Sequence, residues 1–465
     1  MQVKVRNSLK NLALLSRKEV KSMYKKQSAR QMSFEDFNQP AGLKMNPNNR
    51  WVKKADLIPW SEFELEYASE FTSDTGNVAK SFRVAFGALV IQQEYGYSDA
   101  ELVNQIQENP YYQYFIGLPG YQDEKAFDSS SLVHFRKRLT AERLMKINER
   151  IIQLQLDSEV VENQDAPSSD DDDDDKPNSG TLILDATCVP QEIKYPTDSE
   201  LLNESRVQAE KIIDAVCENH GYEKPRIYRR DARAVYLNIV RRKKKSKSFL
   251  RKNNRKLLNY VKRNIKVING YLSDGIKLDE KQLQAWQTIN LIYDQQLYMF
   301  ENKTNSVPDR IVSFSQPWIR PIVRGKTKTN VEFGAKIDVS VEKGYARLEK
   351  ASFDAYNEST VLQDCINGFY NRNGHYPERV LVDKIYRNRD NIKFCKEKGI
   401  RISGPSLGRP AKDAVRNKAV EKEDNADRIE VERSFSLMKR RFGMDKNTAK
   451  LEDTTLTKIA MSILY

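Results

Sequence analysis

The sequence of 465 residues has few of the side chains that build soft metal sites or disulfide frameworks. Its four cysteines lie far apart and form no CxxC pair, which argues against a zinc knuckle and a disulfide framework. With only three histidines, histidine metal sites and Ser-His hydrolase chemistry are disfavoured. Any catalytic chemistry must therefore depend on carboxylates.

Long apolar runs are also missing. No stretch of about 18 apolar residues is present that would span a membrane, and the N-terminus lacks the apolar core of a signal peptide. We expect the protein to stay in the compartment where it is made and to have no membrane partner.

What the sequence does have is positive charge. Lys and Arg number 78 against 65 Asp and Glu, a formal net charge of +13. Such a balance indicates a polyanionic partner. With 39% hydrophobic residues over this length, the chain can bury a sizeable core in two to four structural units. The pattern predicts these segments: a basic arm (1–50), a helical domain (51–156), an acidic flexible linker (157–180), a first core segment (181–198), a basic helical insertion (199–303) and the remainder of the core (304–465).

The helical domain contains candidate DNA contacts. Ser98 and Glu101 have the spacing of a capping box, and a later helix is predicted to begin near residues 129–131. We expect that helix to carry Arg136, Lys137 and Arg138 in its first turns, as a helix that reads the major groove does. The alternative is a solvated basic face on a structural helix.

The insertion has the densest positive charge. Residues 226–299 alternate helix-spaced apolar positions with Lys and Arg, including Lys243, Lys244 and Lys245. This charge density favours neutralisation of DNA phosphates over a merely solvated helical hairpin. The aspartates of the linker, residues 170–175, are rejected as a metal site because a flexible run has no fixed geometry.

Near residue 310 the apolar period changes from helical to alternating, which predicts strands. Strand, helix and strand alternate at the length of a right-handed crossover unit, so a mixed α/β sheet is expected. The predicted strands are 310–315, 321–324, 331–341, 345–352, 379–383 and 400–403, with turns at Gly325 and Gly344 and helices over 359–370 and 388–398.

Two aspartates share one setting. Asp185 and Asp383 each end a short apolar strand, and neighbouring strands of this kind would bring both acids to one edge of the sheet. A buried carboxylate is costly unless something positive binds it, although Asp185 could also simply cap a turn.

A third acid is expected on a helix packed beside these strands. Glu432 lies next to the apolar stripe of Val431, Phe435, Met438 and Phe442, whereas the rival Glu430 should point toward solvent.

The set Asp185, Asp383 and Glu432, with Arg428 and Lys439 at their spacing from the glutamate, resembles the DDE transposases of prokaryotic insertion sequences. The resemblance is to the group with a Tyr-x2-Arg-x3-Glu-x6-Lys signature and an insertion-sequence-5-type N-terminal domain. It covers residues 50 to 460 approximately. The signature tyrosine corresponds to Asn425, which is a departure. The apolar helical pattern runs to Tyr465, so the sequence is expected to lack a C-terminal piece.

The resemblance implies an α/β fold: an RNase H-like mixed-sheet catalytic core with a helical insertion and an all-α N-terminal DNA-binding domain. It implies a nucleoid-associated cytoplasmic transposase that cleaves and joins DNA as a homodimer, with terminal inverted repeats and target DNA as partners. Three carboxylates suit Mg2+ or Mn2+, and we expect Asp185 to bridge two ions that Asp383 and Glu432 complete.

Arg428 and Lys439 would then hold DNA phosphates, or alternatively pair with Glu432. Two other functions stay open: an inactive repressor that occupies element ends, and a metal-dependent nuclease without strand transfer.

Overall fold

The computed structural model describes residues 45–69, 71, 78–164, 178–323, 331–404 and 418–464. One compact unit contains the described residues up to 164 and also residues 460–464, and the second contains those from 178 to 459. The sequence predicts instead that the catalytic core runs to Tyr465, whereas residues 460–464 group with the first unit. In the described part of the chain, no helix is long and apolar enough to cross a membrane.

The N-terminal unit is helical, as predicted. Its core is aromatic: the Trp51 and Trp60 rings lie 4.8 and 5.4 Å from Phe115 in edge-on contacts, and such pairs stabilise beyond their buried area. Its helices are α1 (Arg50–Leu57), α2 (Trp60–Ala68), α3 (Phe82–Tyr95), α4 (Asp99–Glu108), α5 (Pro110–Phe115), α6 (Ser131–Arg138) and α7 (Ala141–Gln164).

Three details of this unit can be compared with the sequence. Ser98 caps α4, because its hydroxyl accepts a hydrogen bond from the Glu101 amide at 3.2 Å. This is the serine half of the predicted capping box; the Glu101 carboxylate accepts from Gln105. The basic residues of α6 lie in its last turn, not in its first turns, so that prediction was wrong: the helix has only eight residues. Helix α7 runs on to Gln164, beyond the boundary expected at 156. The predicted basic arm up to residue 44 and the aspartate run lie outside the described residues.

The insertion is helical as predicted and packs on its own apolar core. Thr197 caps its first helix by accepting from the Glu200 amide at 3.3 Å. Leu202, Val261 and Ile289, from three different helices, are fully buried together, since helix-spaced apolar residues form one stripe per helix. The helices are α8 (Asp198–His220), α9 (Arg229–Arg241), α10 (Lys247–Ser273) and α11 (Glu280–Glu301).

The second unit contains a mixed sheet. Its central strand β1 pairs antiparallel with β3 and parallel with β5; β3 also pairs antiparallel with β2 and β4, and β5 pairs parallel with β6. The strands are β1 (Thr181–Pro190), β2 (Arg320–Val323), β3 (Val331–Glu342), β4 (Tyr345–Ser352), β5 (Arg379–Val382) and β6 (Arg401–Ile402). The helices are α12 (Leu362–Asn373), α13 (Arg389–Glu397), α14 (Lys418–Asp427), α15 (Ile429–Arg440) and α16 (Glu452–Ile463), of which residues 460–463 belong to the first unit.

Most predicted strands are confirmed, and one is not. The β3–β4 hairpin turns at Lys343 and Gly344, both with positive φ, as the glycine predicted; the turn at Gly325 lies outside the described residues. Residues 310–315 form no strand. Gln295 satisfies the backbone there instead: its side chain donates to the Ile311 carbonyl at 3.0 Å and accepts from the Ile311 amide at 2.7 Å.

Candidate active site

Asp185 lies in the middle of β1, not at its end as predicted, because pairing with β3 extends the strand to Pro190. Its Oδ1 accepts a hydrogen bond from the Ala186 amide at 2.9 Å, and its side chain is 21% exposed. Burial raises the pKa of Asp185 to about 6, although the Ala186 amide and the Arg428 guanidinium lower it. Ionised Asp185 is therefore held at a cost that a bound cation would relieve.

Asp383 stands next to Asp185 at the point where the parallel β1–β5 ladder ends. The parallel ladder pairs Leu184 with Val382. Asp185 directly follows Leu184 in the sequence, and Asp383 directly follows Val382. Asp383 is exposed and begins a short 3-10 turn, in which the Lys384 amide donates to its Oδ1 at 2.7 Å. Its negative charge contributes to the raised pKa of Asp185. The two carboxylates therefore lie close enough to interact electrostatically, as expected for two aspartates that each follow a short apolar run.

Polar residues along one face of helix α15 contact strand β1. Val431, Phe435 and Met438 are buried as the stripe predicted. Beside them, one guanidinium nitrogen of Arg428 lies 3.9 Å from Asp185 Oδ2, and Lys439 donates to Thr187 Oγ1 at 2.7 Å. Both contacts are made to β1, two residues apart.

Glu432 belongs to the same row of the helix. It follows Arg428 by four residues and precedes Lys439 by seven, which places all three on one face of α15. Its side chain is exposed. The expectation that Glu430 points to solvent was wrong: Glu430 is half-buried, and a Cβ added to Gly344 would be 3.7 Å from its Oε1. Its carboxylate thus lies near Gly344 of the β3–β4 turn, a proximity that helical spacing alone does not predict.

Two arginines missed by the sequence reasoning anchor the segment before α15. Arg401 on β6 holds Asp424 through two bonds of 2.8 Å, and Arg379 on β5 donates to Asp427 at 2.7 Å. Asp427 and Arg428 are adjacent in the sequence. Asp427 pairs with Arg379 of β5, and Arg428 pairs with Asp185 of β1, so the segment before α15 is held to both strands. An Arg at the first position of each short strand was the available signal.

The donor chemistry of this edge suits a hard cation, because carboxylate oxygens are the ligands that Mg2+ and Mn2+ prefer. Asp185 fits this use, since its burial disfavours an uncompensated charge. Within the ranges that the structure describes, however, no three His, Cys, Asp or Glu side chains stand close enough together to hold a metal ion. Asp185 and Asp383 are the two carboxylates that the structure brings together here.

The candidate DNA contacts of the N-terminal unit differ in their surroundings. Arg136 pairs with Asp99, at 3.1 Å for one nitrogen–oxygen contact, and donates to Gln92 at 2.8 Å. The Arg138 guanidinium lies 4.4 Å from the centre of the Phe71 ring. Lys137 is exposed. Tertiary contacts therefore engage two of the three cations, and Lys137 is the one that faces solvent.

The insertion presents an extended cationic surface. Lys243, Lys244 and Lys245 are exposed between α9 and α10. Helix α10 has eight Lys or Arg and no Asp or Glu in its 27 residues. Its apolar side, with Leu257 and Val261, is buried. The cations occupy the opposite, exposed side over a helix about 40 Å long.

Two regions of the chain match transposase families. Residues 380–465, which contain Asp383 and Glu432, match a family described as "Transposase DDE domain", and residues 41–138 match "Transposase domain (DUF772)". These matches indicate a transposase, and they confirm the resemblance found in the sequence.

A curated relative is the "Uncharacterized protein ORF8 in nfe locus" of Rhizobium meliloti. It is 26% identical over 198 residues, which cover 42% of this chain and 86% of that protein. No solved structure matches the chain significantly.

Proposed function

We propose that the protein is a DDE transposase that binds the terminal inverted repeats of its own mobile element, cleaves the DNA there and joins the 3′-hydroxyls to target DNA. The observation that carries the proposal is the pairing of β1 with β5. It puts Asp185 and Asp383 side by side, under a helix whose Arg428 reaches Asp185. The acids implied by the resemblance come from distant parts of the sequence, and a purely structural role gives no reason for two carboxylates to share this edge.

The proposed core is RNase H-like. In support, β1 lies between an antiparallel and a parallel neighbour, and helices α12 and α15 each contact β1. A mixed sheet with its acids at one edge, followed by an acid-bearing helix, is the arrangement that the proposed chemistry requires.

Asp185, Asp383 and Glu432 are the proposed ligands of Mg2+ or Mn2+. Two such ions, when bound, activate a water or a 3′-hydroxyl and stabilise the leaving oxygen at a phosphodiester. Asp185 is suited to this use because burial makes its ionisation costly in the free protein, a cost that a bound cation would offset. Glu432, exposed on the same face of α15 as Arg428 and Lys439, would supply the third carboxylate.

Arg428 and Lys439 are the proposed phosphate holders. A guanidinium grips two phosphate oxygens at once, whereas an ammonium acts as a point charge. The Arg428–Asp185 contact of 3.9 Å is longer than a hydrogen bond, so a phosphate can compete for the guanidinium. Lys439 reaches the same strand at Thr187. The two cations thus flank the edge at which the DNA strand would be attacked.

The proposed DNA-binding surface includes Lys243, Lys244, Lys245 and the exposed face of α10, with Lys137 as a contact of the N-terminal unit. Binding is proposed to occur as at least a homodimer, because joining two element ends needs both to be held together.

The test uses the full chain with Mg2+ and duplexes taken from the DNA that flanks the coding region, plus a supercoiled target plasmid. Cleavage followed by joining to the plasmid supports the transposase. Binding without cleavage supports a repressor of element ends, and cleavage without joining supports a nuclease. Asp185→Asn is the control for contaminating nucleases, since it removes the proposed central ligand and alters no exposed cation.

A further inference from the structure

A buried carboxylate lies one rung away from the candidate active site. Asp338 on β3 is fully buried and pairs in register with Ala186, the residue after Asp185. Each of its oxygens accepts a tyrosine hydroxyl: Tyr386 donates to Oδ1 at 2.6 Å, and Tyr356 donates to Oδ2. A buried charge is tolerated only when it is satisfied in this way.

Tyr386 connects this carboxylate to Asp383. It closes the 3-10 turn that Asp383 begins, since the Tyr386 amide donates to the Asp383 carbonyl at 3.1 Å. Its side chain is fully buried, and its carbonyl accepts from the Asn391 side chain at 2.8 Å. Asp383 itself is exposed. The turn is therefore held in place at its Tyr386 end, which is buried, and not at its exposed Asp383 end.

Tyr356 shares the carboxylate but belongs to another segment. It precedes the short 3-10 helix Glu358–Thr360. Lys336 donates to the Tyr356 carbonyl at 3.0 Å and pairs with Glu358 at 2.8 Å. Removing the Tyr356 hydroxyl would take one hydrogen bond from Asp338 and leave the Tyr386 hydroxyl in place. The two segments are still in contact, because Asn391 donates to the carbonyls of both Ser359 and Tyr386.

We propose that Tyr386 is a positioning residue: its hydroxyl, bound to Asp338, sets where the Asp383 carboxylate stands beside Asp185. The proposal rests on the proposed function for its catalytic consequence. A reacting group displaced by about 1 Å can lose about a hundredfold in rate. Burial raises the pKa of Tyr386, so the phenol keeps its proton and stays the donor.

The experiment compares Tyr386→Phe with Tyr356→Phe in the full chain. Each variant keeps its ring and removes one hydroxyl from the same carboxylate, so both should lower the thermal midpoint. Only Tyr386→Phe should speed amide hydrogen exchange in the peptide spanning residues 383–388, by about tenfold for the loss of one hydrogen bond to a buried charged group. Only Tyr386→Phe should slow cleavage at saturating DNA, by about tenfold or more, and weaken Mn2+ binding, with the Kd for DNA unchanged.

Equal exchange of the 383–388 peptide in the two variants overturns the proposal. So does a cleavage rate that is the same in Tyr386→Phe as in the unmodified chain. If the unmodified chain binds no Mn2+ and cleaves no DNA, the proposed function fails. The exchange comparison then still decides whether Tyr386 holds the Asp383 turn.

Discussion

Asp185→Asn should inactivate the protein and stabilise it at the same time. The asparagine keeps the shape of the side chain and an oxygen for the Ala186 amide, which now lies 2.9 Å from Oδ1. It removes a negative charge that burial disfavours and that lies beside Asp383. Loss of the proposed metal ligand should abolish cleavage, while the exposed cations that are proposed to bind DNA are unchanged.

The size of the stabilisation follows from the pKa. Burial raises the pKa of Asp185 from its ordinary value of 3.8 to about 6, which corresponds to roughly 3 kcal/mol between the protonated and ionised forms. Because the folded pKa lies above the unfolded one, the native state binds the proton more tightly between those pH values. The free energy of unfolding therefore falls as pH rises from about 4 to about 6. Above pH 6 the full deficit is present.

The assay is the thermal midpoint of the unit that contains the sheet, for both proteins, from pH 4 to pH 8 in EDTA. Groups other than Asp185 titrate in both, so the difference between the two curves isolates this residue. The variant should match the unmodified chain near pH 4. At pH 7.5 it should be more stable by up to about 3 kcal/mol, or roughly 5 to 10 °C for a unit of this size.

Two further observations sharpen the test. Mn2+ should stabilise the unmodified chain at pH 7.5 and leave the variant unchanged, since binding to the native state alone raises stability. Asp383→Asn is the matched control: Asp383 is exposed, so its substitution should stabilise less. A variant less stable than the unmodified chain at pH 7.5, or a difference that does not depend on pH, would refute the reasoning.

Four other predictions concern the remaining candidates. Glu432→Gln should abolish cleavage without changing the Kd for DNA; residual cleavage comparable to the unmodified chain removes Glu432 from the site. Replacing Lys243, Lys244 and Lys245 with Gln should reduce the slope of log K against log salt by about 2 to 3, and an unchanged slope means that this cluster does not touch DNA. Arg136→Gln should lower the thermal midpoint through loss of the Asp99 pair, a cost of roughly 1 kcal/mol. Lys137→Gln should instead weaken DNA binding at constant stability. If Arg136→Gln weakened DNA binding and Lys137→Gln lowered the thermal midpoint, the contacts described for both residues would be contradicted.

Local periodicity was enough for many elements. The stripe of Val431, Phe435 and Met438 predicted the buried face of α15, because helical spacing alone decides which residues share a face. The short apolar run before Asp383 predicted β5 and left the aspartate at its end. The cap at Ser98 also depends on a neighbour three residues away. The sequence by itself therefore determined the type and approximate bounds of most elements, and which acids to consider.

Pairing between distant segments decided the rest. Residues 310–315 alternate like a strand, yet the backbone of Ile311 within them bonds to the Gln295 side chain of α11 and to no strand. The position of Asp185 within its strand depends on β3, which extends β1 to Pro190. Asp338 alternates with buried apolar neighbours and looks solvent-facing in the sequence. Only the fold gives its oxygens the hydroxyls of Tyr356 and Tyr386, 18 and 48 residues away.

The physical reason is that the burial of a side chain and the charges around it depend on its position in the folded structure, not on the sequence segment that contains it. A pattern read along the chain shows which face a side chain takes, but not what the rest of the chain puts opposite that face. The pairing of β1 with β5, the loose contact of Arg428 with Asp185 and the buried partners of Asp338 were therefore decided by tertiary structure alone.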